Sequence, residues 1–223
     1  MFDSIAWRYD FLNHLLSFGI DRSWRKKAVS IISETHKNPN IIDIATGTGD
    51  LAFEAVTLDP IKITGIDISE KMLDLGRRKA QAKGLSDLIK FIKCDSEKIC
   101  FEDNIFDVAM VAFGVRNFKD PLKGLGEMSR VLRKGGLAMV LEFSKPDGHL
   151  FRHAYDIYFR NILPSIGGLF SKNWKAYRYL NESVMGFPSN EEFIEMMRET
   201  GFSGIRLTRL TKGIASIYTG IKD

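Results

Sequence analysis

The residues best suited to chemistry lie in a short glycine-containing segment, residues 43–50, with the sequence DIATGTGD. The segment follows an apolar run typical of a strand and precedes a run typical of a helix, so its glycines let the backbone approach a ligand. Asp67 ends the next apolar run, at the distance from Gly49 expected of a carboxylate that accepts hydrogen bonds from both hydroxyls of a ribose. The spacing therefore predicts a site for a nucleoside-containing ligand.

The charge around this loop separates two classes of ligand. Gly47, Gly49 and Ala52 also satisfy the pattern of dinucleotide-binding loops, so the glycines alone do not choose. Asp43 precedes the loop and Asp50 begins the predicted helix, where a pyrophosphate would need hydrogen-bond donors. Two carboxylates there oppose an anion and suit a ligand with an ammonium and a sulfonium, which S-adenosylmethionine carries. A dinucleotide-dependent oxidoreductase remains the rival hypothesis.

A second carboxylate and a hydroxyl extend the predicted site. Asp95 and Ser96 follow the third apolar run, where an adenine amino group would arrive if the adenosine lies across the strand ends. A turn with a helix cap would explain this pair equally well on its own. Because Asp43 and Asp67 end neighbouring strands in the same register, we prefer the binding interpretation.

The elements that must position these residues form a regular pattern. Short β-branched runs alternate with amphipathic helical patterns from residue 40 onward, which predicts repeated βα units and a mostly parallel sheet. The predicted strands cover residues 41–45, 62–68, 89–94, 106–113 and 137–143. The predicted helices cover residues 50–58, 70–83, 121–132 and 190–200, and Ser69 is the predicted N-cap of the second. The third of these helices is expected to stop at a Lys-Gly-Gly sequence, residues 134–136.

The final two apolar runs, residues 205–211 and 214–221, are divided by Lys212 and Gly213, which predicts an antiparallel hairpin. A parallel sheet finished by such a hairpin favours methyltransferases over dehydrogenases. We therefore expect an α/β, Rossmann-like S-adenosylmethionine-dependent methyltransferase fold with a mostly parallel seven-stranded sheet. The 223 residues suit a single domain, residues 1–223, with an N-terminal helical cap over residues 1–39 and a helical insertion after strand five, residues 145–187.

Composition excludes several classes of protein. The net charge of +4 is small and the basic pairs are scattered, so we expect no nucleic-acid partner. Cys94 and Cys100 lack CxxC spacing and a supporting His cluster, so we expect two reduced thiols and no metal site. The start has no basic region before an apolar core, and no window of about 18 apolar residues follows. We expect a soluble, cytoplasmic protein.

Three stretches resemble one family, the menaquinone and ubiquinone biosynthesis C-methyltransferases. Residues 9–17 (YDFLNHLLS), followed by Trp24 and Arg25, resemble its first signature, and residues 130–136 (RVLRKGG) through 142–144 (EFS) resemble its second. Residues 113–117 (FGVRN) are similar to the family's sequence after the fourth strand. The resemblance continues into the insertion at residues 163–164 (LP) and 177–180 (YRYL), so it covers nearly the whole chain.

The resemblance implies a set of cofactor-binding residues. Thr48, Asp67 and the pair Asp95 and Ser96 match positions that bind S-adenosylmethionine in the family, while Asp43, Gly47 and Gly49 shape the same loop. Some members have Ser where this chain has Ala112, so a side-chain hydrogen bond is missing there. Members usually have further residues before the segment that matches residues 1–3, so the resemblance implies that part of an N-terminal helix is absent from this sequence.

The resemblance also implies a reaction, the C-methylation of a prenylated quinol ring, with demethylmenaquinol favoured over the ubiquinol precursor 2-methoxy-6-polyprenyl-1,4-benzoquinol. A non-catalytic module that binds S-adenosylmethionine is the alternative from another class. Arg116 and Asn117 are expected to stabilise a quinol oxygen that gains negative charge, and Glu142 is a candidate base. A structural ion pair for Arg116 and a sheet-end cap for Glu142 remain open.

The predicted insertion carries aromatic and apolar side chains. His153 and Tyr177 are candidate contacts to the ring, although an aromatic stripe at helical spacing is more often part of a core. The apolar residues between 151 and 170 are compatible with a trough for a polyprenyl tail, with a homodimer interface, or with peripheral contact to a membrane. The sequence leaves these three open.

Overall fold

The computed structural model describes residues 19–144 and 183–223. Within these ranges the helices are α1 (Asp21–Ser33), α2 (Asp50–Ala55), α3 (Glu70–Ala82), α4 (Pro121–Val131) and α5 (Asn190–Glu199). The strands are β1 (Asn40–Ile44), β2 (Lys62–Asp67), β3 (Ile89–Lys93), β4 (Phe106–Ala112), β5 (Leu132–Phe143), β6 (Phe202–Leu210) and β7 (Ala215–Lys222).

The seven strands form one sheet in the order β3-β2-β1-β4-β5-β7-β6. The first five are parallel, and β7 is antiparallel to both β5 and β6. The predicted α/β fold with a mostly parallel seven-stranded sheet and a terminal antiparallel hairpin is thus confirmed. Connections leave β1 and β4 in opposite directions, so the carboxyl ends of these strands border a crevice at which α/β proteins bind ligands.

Helices cover both faces of the sheet because adjacent strand residues point to opposite sides. On one face Trp24 of α1 and Leu51 of α2 pack over strand residues such as Ile41. On the other face Leu125 of α4 and Phe193 of α5 pack in a second cluster. The buried parallel strands are apolar on both faces, which agrees with their continuous apolar sequences.

Local signals in the sequence set several helix starts. The Ser69 side chain accepts a hydrogen bond from the Met72 backbone N–H at the start of α3, as predicted. At the start of α5, Ser189 and Glu192 form a reciprocal capping box. These caps satisfy backbone N–H groups that have no partner within the helix.

The junction between α4 and β5 differs from the prediction. The helix ends at Val131, because Leu132 already has an extended backbone and pairs with Phe106 of β4. The Lys-Gly-Gly sequence therefore does not stop the helix but lies in the first part of β5, where the pairing register shifts before Leu137 meets Val108. Gly135 has a φ of 75°, which suits such a bulge.

The prediction of two reduced thiols is wrong for this structure, in which Cys94 and Cys100 are joined by a disulfide with 6.0 Å between their Cα atoms. The chain turns tightly after β3, where Asp95 and Lys98 form a bridge, and this turn returns Cys100 to Cys94. A spacing of six residues gave no sign of that return.

Other predictions fall outside the described residues. His153, Tyr177, residues 1–18 of the predicted cap and residues 145–182 of the predicted insertion all belong there. Helix α1 lies in the described part of residues 1–39, and the cap as a whole stays a prediction. None of the helices in residues 19–144 and 183–223 is long and apolar enough to cross a membrane.

Candidate functional site

The glycine loop lies between β1 and α2, at the carboxyl edge of the sheet. Three of its residues have a positive φ: Ala45 at 52°, Gly47 at 58° and Gly49 at 90°. The loop also packs closely on β3, since a Cβ at Gly49 would lie 2.6 Å from Cζ of Phe91. This close approach requires glycine at position 49.

Asp67 binds the loop that it was predicted to face. Its Oδ2 accepts a hydrogen bond from the Gly47 backbone N–H at 2.9 Å, and its Oδ1 accepts one from the Ser69 N–H at 2.8 Å. Asp67 therefore fixes the glycine loop and the start of α3, and its carboxylate also lines the cavity beside the loop.

A cavity of about 190 Å³ lies beside Asp67 and is called here the nucleoside cavity. It contains carboxylate, hydroxyl and amide side chains together with an apolar wall, as a base and a sugar require. Its lining residues are Ala45, Gly47, Asp67, Ile68, Met72, Asp95, Ser96, Glu97, Gly114, Asn117, Phe118 and Lys119.

Asp95 and Ser96 line this cavity while also forming a turn. Asp95 Oδ1 accepts a hydrogen bond from the Glu97 N–H at 2.9 Å, and Ser96 is buried. The two interpretations of this pair are thus compatible, because the turn holds both side chains at the cavity. Glu97 in turn accepts a hydrogen bond from the Lys119 N–H at 2.6 Å, which ties the loops after β3 and β4 together.

A second, smaller cavity of about 50 Å³ adjoins the loop on its other side and is called here the loop cavity. It is lined by Asp21, Arg25, Asp43, Ala45, Thr46, Gly47, Thr48, Asp50, Leu51, Ala112 and Phe113. Ala45 and Gly47 line both cavities. The two cavities therefore lie next to each other on either side of the glycine loop.

Asp43 is one of two deeply buried carboxylates of the loop cavity, since it and Asp21 each have a relative exposure of 1%. Burial raises its pKa to about 7, and nearby Asp67 and Asp50 add to the increase. The Thr46 hydroxyl, which donates to Asp43 Oδ2 at 2.5 Å, and the Ala52 backbone oppose it. Asp43 is therefore a carboxyl that a cationic ligand group would ionise.

Asp50 does not have the free negative charge that the sequence suggested. Its Oδ1 lies 3.0 Å from Lys79 Nζ, and its Oδ2 lies 3.5 Å from Nη2 of Arg25. Lys79 also donates a hydrogen bond of 2.6 Å to the Thr48 hydroxyl. The charge of Asp50 is therefore partly balanced by Lys79 and Arg25.

Arg116 and Glu142 form a buried ion pair. Arg116 Nη1 lies 2.6 Å from Glu142 Oε1, and the two side chains have relative exposures of 1% and 0%. Arg116 also donates to the Phe113 carbonyl oxygen at 2.7 Å, and Glu142 Oε1 accepts from the Phe143 N–H at 3.0 Å. Neither side chain lines the two cavities, whereas Asn117 does. The catalytic roles of all three residues stay predictions.

The residues present fit S-adenosylmethionine. The nucleoside cavity offers Asp67 to a ribose and Asp95 to an adenine, and the loop cavity offers Asp43 to an ammonium. The two cavities together therefore match the chemically distinct parts of that cofactor. Within the described ranges, no group of three or more His, Cys, Asp or Glu residues is placed to hold a metal ion.

The sheet order and the divided site define the class, that of Rossmann-like methyltransferases. The fold is also found in solved structures: a SAM-dependent methyltransferase from Thermotoga maritima matches with a TM-score of 0.70 at 21% identity, over 100% of this chain and 98% of that chain. One from Aquifex aeolicus matches with a TM-score of 0.65 at 16% identity, over 89% of each chain.

Sequence comparison narrows the class to one family. Residues 1–222 match the ubiE/COQ5 methyltransferase family, and the chain belongs to it. It is 50% identical to the ubiquinone/menaquinone biosynthesis C-methyltransferase UbiE of Geotalea daltonii, over 100% of this chain and 94% of that protein. It is 45% identical to a demethylmenaquinone methyltransferase of Bacteroides fragilis, over 100% and 91%, and 47% identical to one of Thermus thermophilus, over 99% of each. The resemblance noted in the sequence is confirmed.

Two charged residues of the site were not predicted. Arg25 was noted only as part of a signature, and Lys79 was not noted at all. Arg25 reaches the loop because Trp24 anchors α1 to the sheet, packing its ring 6.2 Å from that of Phe113 and donating a hydrogen bond of 2.8 Å to the Thr211 hydroxyl. No local pattern links residues so far apart in the sequence.

Proposed function

We propose that this protein transfers a methyl group from S-adenosylmethionine to a ring carbon of a prenylated quinol, converting demethylmenaquinol to menaquinol. The observation that carries the proposal is the pair of cavities that share Ala45 and Gly47. One has groups suited to a nucleoside and the other has groups suited to an amino acid, which is the composition of S-adenosylmethionine.

The names of the relatives support the ring substrate. Menaquinone or its demethyl precursor appears in the names of all three relatives above, whereas ubiquinone appears only in that of Geotalea daltonii. Methylation in the menaquinone branch is thus common to these names, and the identities of 45–50% over almost the whole chain support demethylmenaquinol as the substrate here. The ubiquinol precursor is the alternative to be tested.

Each proposed cofactor contact is made by a residue that lines one of the two cavities. Asp67 accepts the ribose hydroxyls, Asp95 and Ser96 contact the adenine, and Asp43 faces the methionyl ammonium. Thr48 shapes the wall of the loop cavity together with the backbone of the loop.

Asn117 is the member of the predicted catalytic trio that we place against the quinol. It lines the nucleoside cavity, and its Nδ2 also donates weakly to the Phe113 carbonyl oxygen at 3.4 Å. Arg116 and Glu142 anchor the turn that carries Asn117, because Glu142 Oε2 accepts the Arg116 backbone N–H at 3.3 Å. We therefore assign this pair a positioning role.

The chemistry requires alignment more than acid catalysis. When bound, S-adenosylmethionine would supply an electrophilic methyl group to the electron-rich ring and leave as S-adenosylhomocysteine, and the ring hydrogen would be lost as a proton to solvent. The chain contributes a fixed loop, a buried ion pair behind Asn117, and the apolar side chains of Ile68, Met72 and Phe118 along the nucleoside cavity. The oxidised quinone lacks the electron density for this attack.

The test is anaerobic incubation with methyl-labelled S-adenosylmethionine and chemically reduced demethylmenaquinone, with label in the lipid followed by chromatography. We expect label only in the reduced sample, and the oxidised quinone serves as the matched control. Label in the ubiquinol precursor but not in demethylmenaquinol would overturn the ring assignment. Binding of S-adenosylhomocysteine without any methylated lipid would favour a non-catalytic binding module instead.

A prenylated substrate resides in lipid, so we further propose that the protein works at a membrane surface. Flotation with vesicles that contain demethylmenaquinol, compared with vesicles without it, measures this association. Size-exclusion chromatography with light scattering at several protein concentrations measures the oligomeric state and so tests the predicted homodimer.

A further inference from the structure

The loop cavity contains a cation that no cofactor contact has yet used. Arg25 lies on α1 and its side chain has a relative exposure of 9%. It is the single cationic residue among those described that line this cavity, and it shares the lining with Asp21, Asp43 and Asp50.

The geometry points to Arg25 as the residue that binds the α-carboxylate of the methionyl half of the cofactor. This inference rests on the proposed use of S-adenosylmethionine. The methionyl group is a zwitterion, so a cavity that held it with carboxylates alone would leave its own carboxylate facing negative charge.

The contacts of Arg25 leave part of its guanidinium available. Nη1 donates a hydrogen bond of 2.7 Å to Asp21 Oδ2, one turn earlier on α1, which fixes the orientation of the group. Nη2 is 3.5 Å from Asp50 Oδ2, a distance at the limit of a hydrogen bond. A guanidinium has five N–H donors in a planar fork, a shape that matches a carboxylate.

Lys79 is the other cation close to the loop, and its position explains why it is not the better candidate. It does not line the loop cavity, and its ammonium is held by Thr48 at 2.6 Å and Asp50 at 3.0 Å. By neutralising Asp50, Lys79 reduces the competition of that carboxylate for Arg25. Lys79 thus balances the charge of Asp50, and Arg25 is the better candidate for the ligand carboxylate.

The experiment compares three ligands by isothermal titration calorimetry. S-adenosylhomocysteine has both the carboxylate and the ammonium, its decarboxylated analogue keeps only the ammonium, and 5′-methylthioadenosine has neither. The variants are Arg25→Met, Arg25→Lys and, as a matched control that removes the other partner of Asp50, Lys79→Met.

We expect Arg25→Met to raise the Kd of S-adenosylhomocysteine by about 10- to 100-fold, the range for a lost hydrogen bond to a charged group. The Kd of the decarboxylated analogue should change by less than about threefold, because this ligand has no carboxylate for Arg25 to bind. Arg25→Lys should recover part of the affinity, since it restores the charge but not the fork. Lys79→Met should affect the two amine-bearing ligands equally.

Unchanged affinity for 5′-methylthioadenosine shows that a variant is folded at the site, and Arg25→Lys replaces Arg25→Met if the latter does not fold. Equal losses for S-adenosylhomocysteine and its decarboxylated analogue in the Arg25 variants would overturn the inference, as would a selective loss in Lys79→Met. Failure of the wild-type protein to bind any of the three ligands would instead overturn the proposed cofactor, and the inference with it.

Discussion

Replacing Asp43 with asparagine should stabilise the protein at neutral and alkaline pH. The pKa of this carboxyl is raised by burial from its ordinary 3.8 to about 7. The folded protein therefore binds the proton more tightly than the unfolded chain does. The contribution of Asp43 to the free energy of unfolding consequently falls as pH rises from about 4 to about 7, and it is constant above that.

The size of the effect follows from the shift. A difference of about three pKa units corresponds to about 4 kcal/mol of lost stability above the folded-state pKa. An asparagine side chain does not ionise, so the free energy of unfolding of Asp43→Asn relative to wild type should increase by about 1.4 kcal/mol per pH unit below pH 7. Between about pH 5 and about pH 8 the relative gain should be about 2.6 kcal/mol.

Urea denaturation of both proteins without ligand, at several pH values, measures this gain. A difference between variant and wild type that does not change with pH would refute the argument, because it would show that Asp43 is already ionised in the folded state. Thr46→Val is the control that removes the hydrogen bond to Asp43 but keeps the carboxyl. It should raise the pKa of Asp43 further and extend the pH-dependent range upwards.

Ligand binding should depend on the same proton. An ammonium bound at Asp43 favours the ionised carboxylate, so the Kd of S-adenosylhomocysteine should increase about tenfold from about pH 8 to about pH 6. In Asp43→Asn the Kd should be higher and nearly independent of pH over this range. A wild-type Kd that is flat with pH would remove Asp43 from the ammonium contact.

Three further substitutions test other parts of the site. Glu142→Gln should lower the free energy of unfolding by about 3–5 kcal/mol, because it leaves Arg116 as a buried charge without its anion. A double variant with methionine at positions 116 and 142 should recover much of that loss. A loss below about 1 kcal/mol on urea denaturation would contradict a buried pair. Asp67→Asn should raise the Kd of S-adenosylhomocysteine about 100-fold, because the amide replaces one carboxylate oxygen by a donor that faces either a ribose hydroxyl or a backbone N–H. Calorimetry that finds less than a threefold change would exclude Asp67 from the ribose contact. Gly49→Ala should lower stability by about 1–3 kcal/mol through its positive φ, with a further loss from the displaced ring of Phe91; a thermal melt equal to that of wild type would show that the loop adapts.

Much of the fold could be predicted because its signals are local. The apolar runs gave the strands, the Ser69 cap gave the start of α3, and the runs on either side of Gly213 gave the hairpin. The α4–β5 junction was misplaced, since Lys-Gly-Gly is also a common end to a helix and only the pairing of Leu132 with Phe106 shows otherwise. The Cys94–Cys100 bond depended likewise on a turn that the sequence did not reveal.

The site residues were likewise predictable only where their signals are local. Asp67, Asp95 and Ser96 were predictable because the ends of parallel strands must meet at one edge of the sheet. The neutralised charge of Asp50 and the position of Arg25 were not, because each depends on a helix that packs from elsewhere in the chain. A structural ion pair of Arg116 was foreseen only as an alternative, and its pairing with Glu142 was not foreseen, because burial and long-range packing decide it and a sequence does not report them.

The place of β7 in the sheet has a consequence for how the protein is made. β5 pairs with β7 from Leu137 to Phe143, yet β7 is synthesised only after residues 144–214 have been added to the chain. At about 5–20 residues per second, a nascent chain would carry β5 with one bare edge for on the order of ten seconds. Side chains such as Val140 and Leu141, which are fully buried in the finished sheet, would be exposed beside that edge. We therefore expect the emerging chain to need a holding chaperone on the ribosome, and a ribosome-stalled chain that ends before Ala215 to aggregate on release.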